Sequence, residues 1–302
     1  MKACILKSEL EFQQLIHFMA VANAKNFTRA AEEVGTSQSS LSRSIQKLET
    51  KIGEPLFERR PREVVLTDLG KLLEGRAEQI LAMVDDTFRE LTDSGKSGRV
   101  RLGVIPTIAP FLLPTVLSDF SHAFPNVSTI VQEDTTQNII KLCNRGEIDL
   151  AILALPVTAK YLDVEPLFEE ELVLVLPNGH RLEKKKSIKL EDVREFPFVM
   201  LDQAHCLSDN IASFCRRESL EPVSIERTSQ LATVQELVSL SHGISMVPKM
   251  AQVLDQSDRR VYRSFAGEKP MRTIAVMTNP YRYQSKWVLE FLKHLRGLEE
   301  AT

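Results

Sequence analysis

The chain has little of what would mark several large protein classes. It carries four cysteines in 302 residues (Cys4, Cys143, Cys206 and Cys215), and no two form a CxxC pair. So few thiols, so scattered, exclude a disulfide framework and offer no spacing for a structural zinc; no metal is expected. No apolar run approaches the roughly 18 residues of a membrane span. The opening MKACILKSELEF lacks a signal-peptide core and a small-residue cleavage site. The expectation is a cytoplasmic protein with four free thiols and no membrane contact. Positive charge is lacking as well: the net charge is −3, so any surface for nucleic acid must be local.

What remains is the composition of a globular protein, 43% hydrophobic and 26% charged, long enough for a small domain and a larger one. Phe12, Leu15, Ile16, Phe18, Met19 and Val21 recur at helical spacing. A second short helix follows, capped by Asn26 and stapled by Phe27, with Ala30, Ala31 and Val34 inside. Gly35-Thr36-Ser37 is a turn in which Gly35 suits the C′ position and Ser37 caps the next helix. That helix has Leu41, Ile45, Leu48 and Ile52 on one stripe and Gly53 as its stop.

Two short helices, a tight turn and a third helix with a small polar outer face predict a helix-turn-helix. Gln38, Ser39, Ser42, Arg43 and Gln46 lie off the stripe, where short donors and acceptors can approach base edges and phosphates. Ser37 and, at the start of the second helix, Thr28 and Arg29 complete the candidate DNA-facing set. Leu56 to Thr67 reads as a hairpin whose Arg59, Arg60 and Arg62 form a wing against the DNA backbone. From Leu69 to about Ser94 runs a long helix with an apolar stripe of Leu69, Leu72, Leu73, Ile80, Val84, Phe88 and Leu91, long enough to pair with another helix. Ser94-Gly95-Lys96-Ser97-Gly98 is a boundary.

Beyond it, strands alternate with helices: Val100-Ile105, Ser128-Glu133, Asp149-Leu155, Leu172-Leu176, Phe198-Leu201, Ile225-Thr228, Ile244-Val247 and Thr273-Thr278. Helices are expected over Phe111–Phe124, Gln137–Arg145 and from Gln284. This alternation predicts parallel sheets covered by helices, with ligands beyond the C-terminal strand ends, near Thr107, Thr136 and Leu201–Cys206.

The segment LDQAHCLSDNIASFCRRE places His205-Cys206 just before a helix that Ser208 or Asp209 can cap. A helix N-terminus favours the thiolate, and His205 with a cation folded in from elsewhere would lower its pKa further. Thiolates react with peroxide to give a sulfenic acid that a second thiol can trap. Cys215 shares the apolar helix face with Ile211 and Phe214, so it should be buried and too far away to bond without the helix melting. Taken singly, Cys215 also fits a small hydrophobe and Cys206 an ordinary turn residue.

The run FTRAAEEVGTSQSSLSRSIQKLETKIGEPLFERRPREVVLTDLG resembles the winged helix of LysR-type transcriptional regulators along its whole length. It has AA in the second helix, SQ-x-x-LS-R-x-I-x-x-LE in the third, G-x-x-LFER into the wing and LT-x-x-G after it. Ser39 stands where the family usually has Pro. Within the family the chain is most like the OxyR group of hydrogen-peroxide-sensing regulators, whose HCL-x-D-x…C pattern is met by His205, Cys206, Leu207, Asp209 and Cys215. IPTIAPFLLP with Thr107, EDTTQNII with Thr136 and MRTIAVMTNP with Arg272 also agree. Ser208 replaces a common Arg, removing a nearby cation; Ser44 and Ser213 are further departures.

The resemblance implies an α/β architecture: a winged helix-turn-helix (10–67), a linker and dimerisation helix (68–97), and a two-lobed, periplasmic-binding-protein-like effector-sensing domain (98–302). Lobe I would take 98–168 and 275–302, and lobe II 169–274. It implies Cys206 as the peroxide-reactive thiol, Cys215 as its resolving partner, and Thr107 and Arg272 as groups that bind peroxide and tune Cys206. The implied partners are double-stranded DNA at a pseudo-palindromic promoter site, further copies of the chain as homodimer or homotetramer, and RNA polymerase. No cofactor is implied. A regulator sensing a small metabolite in the inter-lobe cleft, with the cysteines incidental, remains the alternative. A Cys/His enzyme lacks a third orienting group and leaves the winged helix unexplained.

Overall fold

The structure is a computed structural model and describes residues 10–59, 64–92, 98–202, 206–217 and 224–298. It divides into two compact units, residues 1–92 with 281–283, and the remainder.

In the first unit α1 (Phe12–Ala24), α2 (Phe27–Glu33) and α3 (Gln38–Ile52) close around Phe18, Val21, Ala30, Leu41, Ile45 and Leu48. Local signals set their limits. The Asn26 side chain accepts from the Thr28 and Arg29 amides at 2.8 and 3.1 Å, and Ser37 Oγ accepts from Ser40 N at 3.2 Å. Gly35 sits at φ +65°, a left-handed turn conformation that favours glycine. Ile52, expected on the inner stripe, is 40% exposed, because the left-handed cap at Gly53 ends the helix beside it.

Strands β1 (Phe57–Arg59) and β2 (Val64–Leu66) form an antiparallel hairpin. Its start is held by Glu49 Oε1, which accepts from Leu56 N at 2.8 Å. The long helix α4 (Asp68–Thr92) is capped by Thr67 Oγ1, which accepts from Gly70 N at 3.0 Å. A Cβ on Gly70 would lie 2.2 Å from the Leu56 carbonyl oxygen, so the glycine lets α4 close onto the wing. In the single chain much of the apolar stripe of α4 is uncovered: Leu72 is 62%, Phe88 68% and Leu91 81% exposed.

The second unit has two cores. The first is built on β3 (Gly98–Val104), β4 (Val127–Glu133) and β5 (Leu150–Ala154), flanked by α5 (Ala109–Ala123) and α6 (Thr136–Arg145). The 15-residue β6 (Asp163–Pro177) carries the chain into the second core. There β7 (Phe198–Leu201), α7 (Cys206–Arg217), β8 (Ser224–Thr228), α8 (Leu231–Ser239), β9 (Ser245–Pro248), α9 (Lys249–Leu254) and β10 (Arg260–Arg263) follow. Strand β11 (Met271–Thr278) returns to the first core and α10 (Lys286–Arg296) packs on it.

The expectation of parallel sheets holds only in part. β3 pairs in parallel with β4 and β5, and β7 with β8. β11 is antiparallel to both β5 and β6, and β9 and β10 are antiparallel to β6. The reason lies in connectivity. β6 leaves the first core and β11 comes back beside it, so the two crossing strands must run in opposite directions.

Candidate functional site

In the helix-turn-helix the outer face of α3 is open. Gln38, Ser39, Arg43 and Gln46 are exposed, Ser42 is half-buried, and Thr28 and Arg29 are exposed at the start of α2. Arg29 pairs with Glu33 one turn on. Ser37 is committed elsewhere: its hydroxyl caps α3 and donates to Ser40 Oγ at 2.9 Å, so its role here is local structure. Ser44, one of the departures from the family pattern, faces inward and meets His17 Nδ1 at 2.8 Å, tying α3 to α1. Arg59 ends β1, while Arg60 and Arg62 lie outside the described residues.

The second constellation lies between the two cores of the second unit. Helix α7 straddles them: Cys206 packs against the first core, while Leu207, Ile211, Phe214 and Cys215 belong to the second. Ser208 does not cap α7 from outside. The helix begins at Cys206, and the buried Ser208 hydroxyl donates to the Leu201 carbonyl at 2.7 Å, fastening α7 to the end of β7. Asp209 is exposed on the first turn, and His205 lies outside the described residues.

Around the thiol, Thr107 sits beyond β3, Thr136 opens α6, and Arg272 comes from β11; all three are buried. The Arg272 guanidinium donates to Thr107 Oγ1 at 3.0 Å and to the Thr107 carbonyl at 3.1 Å. Its charge is met by Glu170 on β6, at 2.7 Å through Nη2 and 2.8 Å through Nε. Glu170 Oε1 in turn accepts from Met250 N at 2.8 Å, and Met250 Sδ lies 3.9 Å from Arg272 Nη2. Because Thr107 Oγ1 accepts from Arg272, its own proton is free to point to a ligand. The Thr136 hydroxyl is buried without an oxygen or nitrogen partner among the described residues, and it acts on the Cys206 sulfur.

These surroundings overturn the expected acidity of Cys206. Burial pushes its pKa up, outweighing the Thr136 hydroxyl, the Arg272 charge and a hydrogen bond from the Ala154 backbone, while Asp209 adds to the rise. Although the residue keeps part of its surface, thiolate desolvation dominates, and Glu170 neutralises much of what Arg272 could contribute. Cys215 is fully buried and its thiol is pushed up to about 11, chiefly by desolvation. It is inert where it stands.

Glu170 and Met250 were missed at the level of sequence. The first had a signal: Glu169-Glu170-Glu171 abuts the apolar run of Leu172–Leu176, and carboxylates inside a buried strand demand a cation. Among the described residues no group of acids, histidines and cysteines could hold a metal ion, and no helix is long and apolar enough to cross a membrane.

A helix-turn-helix, a long helix and a two-core α/β sensor define a class of bacterial regulators. The model for the regulatory helix-turn-helix of the LysR family matches residues 12–71, and that for the LysR substrate binding domain matches residues 93–299. The chain belongs to the LysR family. It is similar to a probable hydrogen peroxide-inducible genes activator of Streptomyces viridosporus, 35% identical over 87% of this chain and 86% of that protein. It is 29% identical to the DNA-binding transcriptional dual regulator OxyR of Escherichia coli K12, over 90% of both chains. Among solved structures, the hydrogen-peroxide-bound cysteine-to-serine mutant of Corynebacterium glutamicum OxyR is 27% identical, with a TM-score of 0.63 over 96% of this chain and 92% of that one. Full-length OxyR from Pseudomonas aeruginosa, with a cysteine-to-aspartate substitution, shares the fold at a TM-score of 0.73, 24% identity, and 96% and 95% coverage.

Proposed function

We propose that the chain is a transcription regulator that senses hydrogen peroxide through Cys206 and alters promoter binding when α7 gives up its helical form. The observation that carries this reading is the placement of two thiols on one helix. Cys206 is its first residue, acted on by Thr136 and by Arg272, whose guanidinium also holds Thr107; Cys215 lies nine residues on, buried in the second core. At roughly 1.5 Å per residue they stand about 13 Å apart along the axis, against the roughly 5.5 Å Cα separation of a disulfide. Bond formation therefore requires α7 to unwind, which turns a local oxidation into a two-state change.

The chemistry balances with the residues present. The Cys206 sulfur attacks one peroxide oxygen and the O–O bond breaks. The thiol proton goes to the departing hydroxide, giving sulfenic acid and water. Thr107, oriented by Arg272, donates to the peroxide, and Arg272 stabilises charge on the leaving oxygen. The Cys215 thiol then displaces hydroxide from the sulfenic sulfur, giving the disulfide and a second water. Burial raises the pKa of the resting Cys206 thiol, against the pull of Thr136 and Arg272. Asn210 ties α7 to the chain beyond β5, its Nδ2 donating to the Leu155 carbonyl at 2.8 Å.

The same reading makes 10–67 the DNA-binding domain, 68–97 the linker and 98–302 the sensor, with α3 and the wing on double-stranded DNA. The uncovered stripe of α4 pairs with a second copy, placing two recognition helices on a pseudo-palindromic site. The protein acts in the cytoplasm, as a regulator and not as an enzyme. Titration of thiols with peroxide, followed by mapping of the new linkage, tests the core of the proposal. A Cys206–Cys215 disulfide is the expected product, and a Cys206→Ser protein that still responds to peroxide like the wild type refutes it. In that case the cleft serves a metabolite, and the cysteines are incidental.

A further inference from the structure

Two sulfurs address the Arg272 guanidinium, and the peroxide reading uses one of them. Cys206 feels its charge, while Met250 Sδ accepts from Nη2 at 3.9 Å. Met250 is the second residue of α9 and half-buried. Its backbone is fixed by the same ion pair, since Met250 N donates to Glu170 Oε1 at 2.8 Å. Met19, Met200, Met246 and Met277 lie in the apolar cores, where a flexible side chain fills space. Met250 is placed differently. A Leu there would fill a similar volume but leave an Nη2 hydrogen facing carbon.

A thioether is a weak hydrogen-bond acceptor, and oxidants convert it to a sulfoxide. Thr107 receives Arg272 Nη1 on its hydroxyl at 3.0 Å and Nη2 on its carbonyl at 3.1 Å. The donors that hold a peroxide for Cys206 thus sit one hydrogen bond away from a second oxidisable sulfur. The step balances. The Met250 sulfur gives a lone pair to one peroxide oxygen and the O–O bond breaks. The departing hydroxide then takes the proton left on the transferred oxygen, giving sulfoxide and water. Arg272 stabilises that hydroxide as it does in the Cys206 reaction. The thioether is the slower of the two sulfurs, because it has no proton to lose and cannot become an anion. The product is a far stronger acceptor than the parent sulfur. An oxygen bonded to Sδ falls within hydrogen-bond reach of Nη2 and competes for the charge that serves Cys206.

We propose that Met250 is a second peroxide-oxidised residue of this site, and that its sulfoxide, held by Arg272, slows the reaction of Cys206 after a heavy dose. The modification half stands on the contact between Met250 and Arg272; the regulatory half rests on the peroxide reading above. Together they make the sensor less responsive once peroxide has outlasted the first, faster oxidation.

The test uses the full-length reduced protein, hydrogen peroxide and peptide mass spectrometry. Met271 is the internal control: it precedes Arg272 on β11, faces the other side of the strand and is 41% exposed. Met250 should gain one oxygen at least threefold faster than Met271, in wild type and in Cys206→Ser alike, and Thr107→Val should cancel the preference. Oxidation in order of exposure, with Met271 ahead, overturns the modification, as does a preference that survives Thr107→Val. For the regulatory half, the protein receives a heavy dose, is reduced with dithiothreitol, which leaves sulfoxides intact, and is pulsed again at low dose. In wild type this second pulse should close the Cys206–Cys215 disulfide at least threefold more slowly than a low-dose pulse on untreated protein. Methionine sulfoxide reductases should restore the rate. In Met250→Leu, treated and untreated protein should match each other. An unslowed second closure in wild type, or equal slowing in Met250→Leu, overturns the regulatory half. If untreated wild type forms no disulfide at all, the peroxide reading fails while the comparison of Met250 with Met271 stands on its own.

Discussion

Replacing Glu170 with Gln removes one charge from the ion pair that orients Arg272 and leaves its shape in place. The two side chains are 6% and 0% exposed, so the remaining guanidinium would be a buried cation without a counter-charge. Removing one partner of a buried pair costs about 3–5 kcal/mol, and the amide oxygen of Gln can still accept, so the low end applies. For a unit of this size each kcal/mol moves Tm by roughly 2–4 °C, which predicts a fall of roughly 6–12 °C. A second effect runs against the first. Glu170 shields the Arg272 charge from Cys206; without it the guanidinium favours the thiolate more strongly, and the Cys206 pKa falls. Scanning calorimetry reads the stability, and the pH midpoint of Cys206 alkylation by iodoacetamide, in a Cys4→Ala/Cys143→Ala/Cys215→Ala background, reads the acidity. A variant that melts with the wild type and titrates at the same midpoint would show that the pair neither holds Arg272 nor screens it. A midpoint moved upward would reverse the electrostatic reasoning outright.

Other expectations concern separate parts of the molecule. Arg43→Ala should weaken binding to a specific operator by about 1–3 kcal/mol in gel-shift titration, whereas Ser37→Ala should cost about 1 kcal/mol of stability by removing the α3 cap. Cys215→Ser should leave a sulfenic acid on Cys206 that a dimedone-type probe traps, without the conformational change. Phe88→Glu together with Leu91→Glu should lower the sedimentation coefficient toward that of a monomer; an unchanged value would place the pairing surface elsewhere. Asp255, held by Arg260 at 2.5 Å, has its carboxyl lowered from 3.8 to about 2 despite burial. A depressed folded pKa gives stability that is present above the unfolded value and lost as the pH falls through the folded one. Roughly 2 kcal/mol should therefore disappear between about pH 5 and pH 2, and Asp255→Asn should lose that part of the acid transition.

The helix-turn-helix was legible because its determinants are local. Asn26, Gly35, Ser37 and Gly53 act on the backbone within a few residues of themselves, and the structure places them as caps and turns. Strand direction was not legible in the same way. Whether β11 runs with or against β5 depends on where the chain has been during the preceding hundred residues, and hydrophobic alternation is blind to it. The thiol acidity failed for a related reason. The helix N-terminus and the cation were visible as sequence features, but the desolvation that outweighs them comes from the first core, which packs on Cys206 from distant parts of the chain. The counter-charge on Arg272 comes from Glu170, a hundred residues away in sequence.

If Cys206 and Cys215 bond as proposed, their shared helix also fixes how long a signal lasts. In the resting fold Cys215 is sealed in the second core, and once α7 has unwound to bring the sulfurs together it cannot rewind while they are bonded, since the helix demands more than twice the permitted separation. Disappearance of the oxidant therefore does nothing to reset the molecule. The off-time would then be set by the thiol reductant that reaches the disulfide, followed by the refolding of about three turns of helix. Dose is read at one end of α7 and duration at the other, and the two can be tuned by different substitutions.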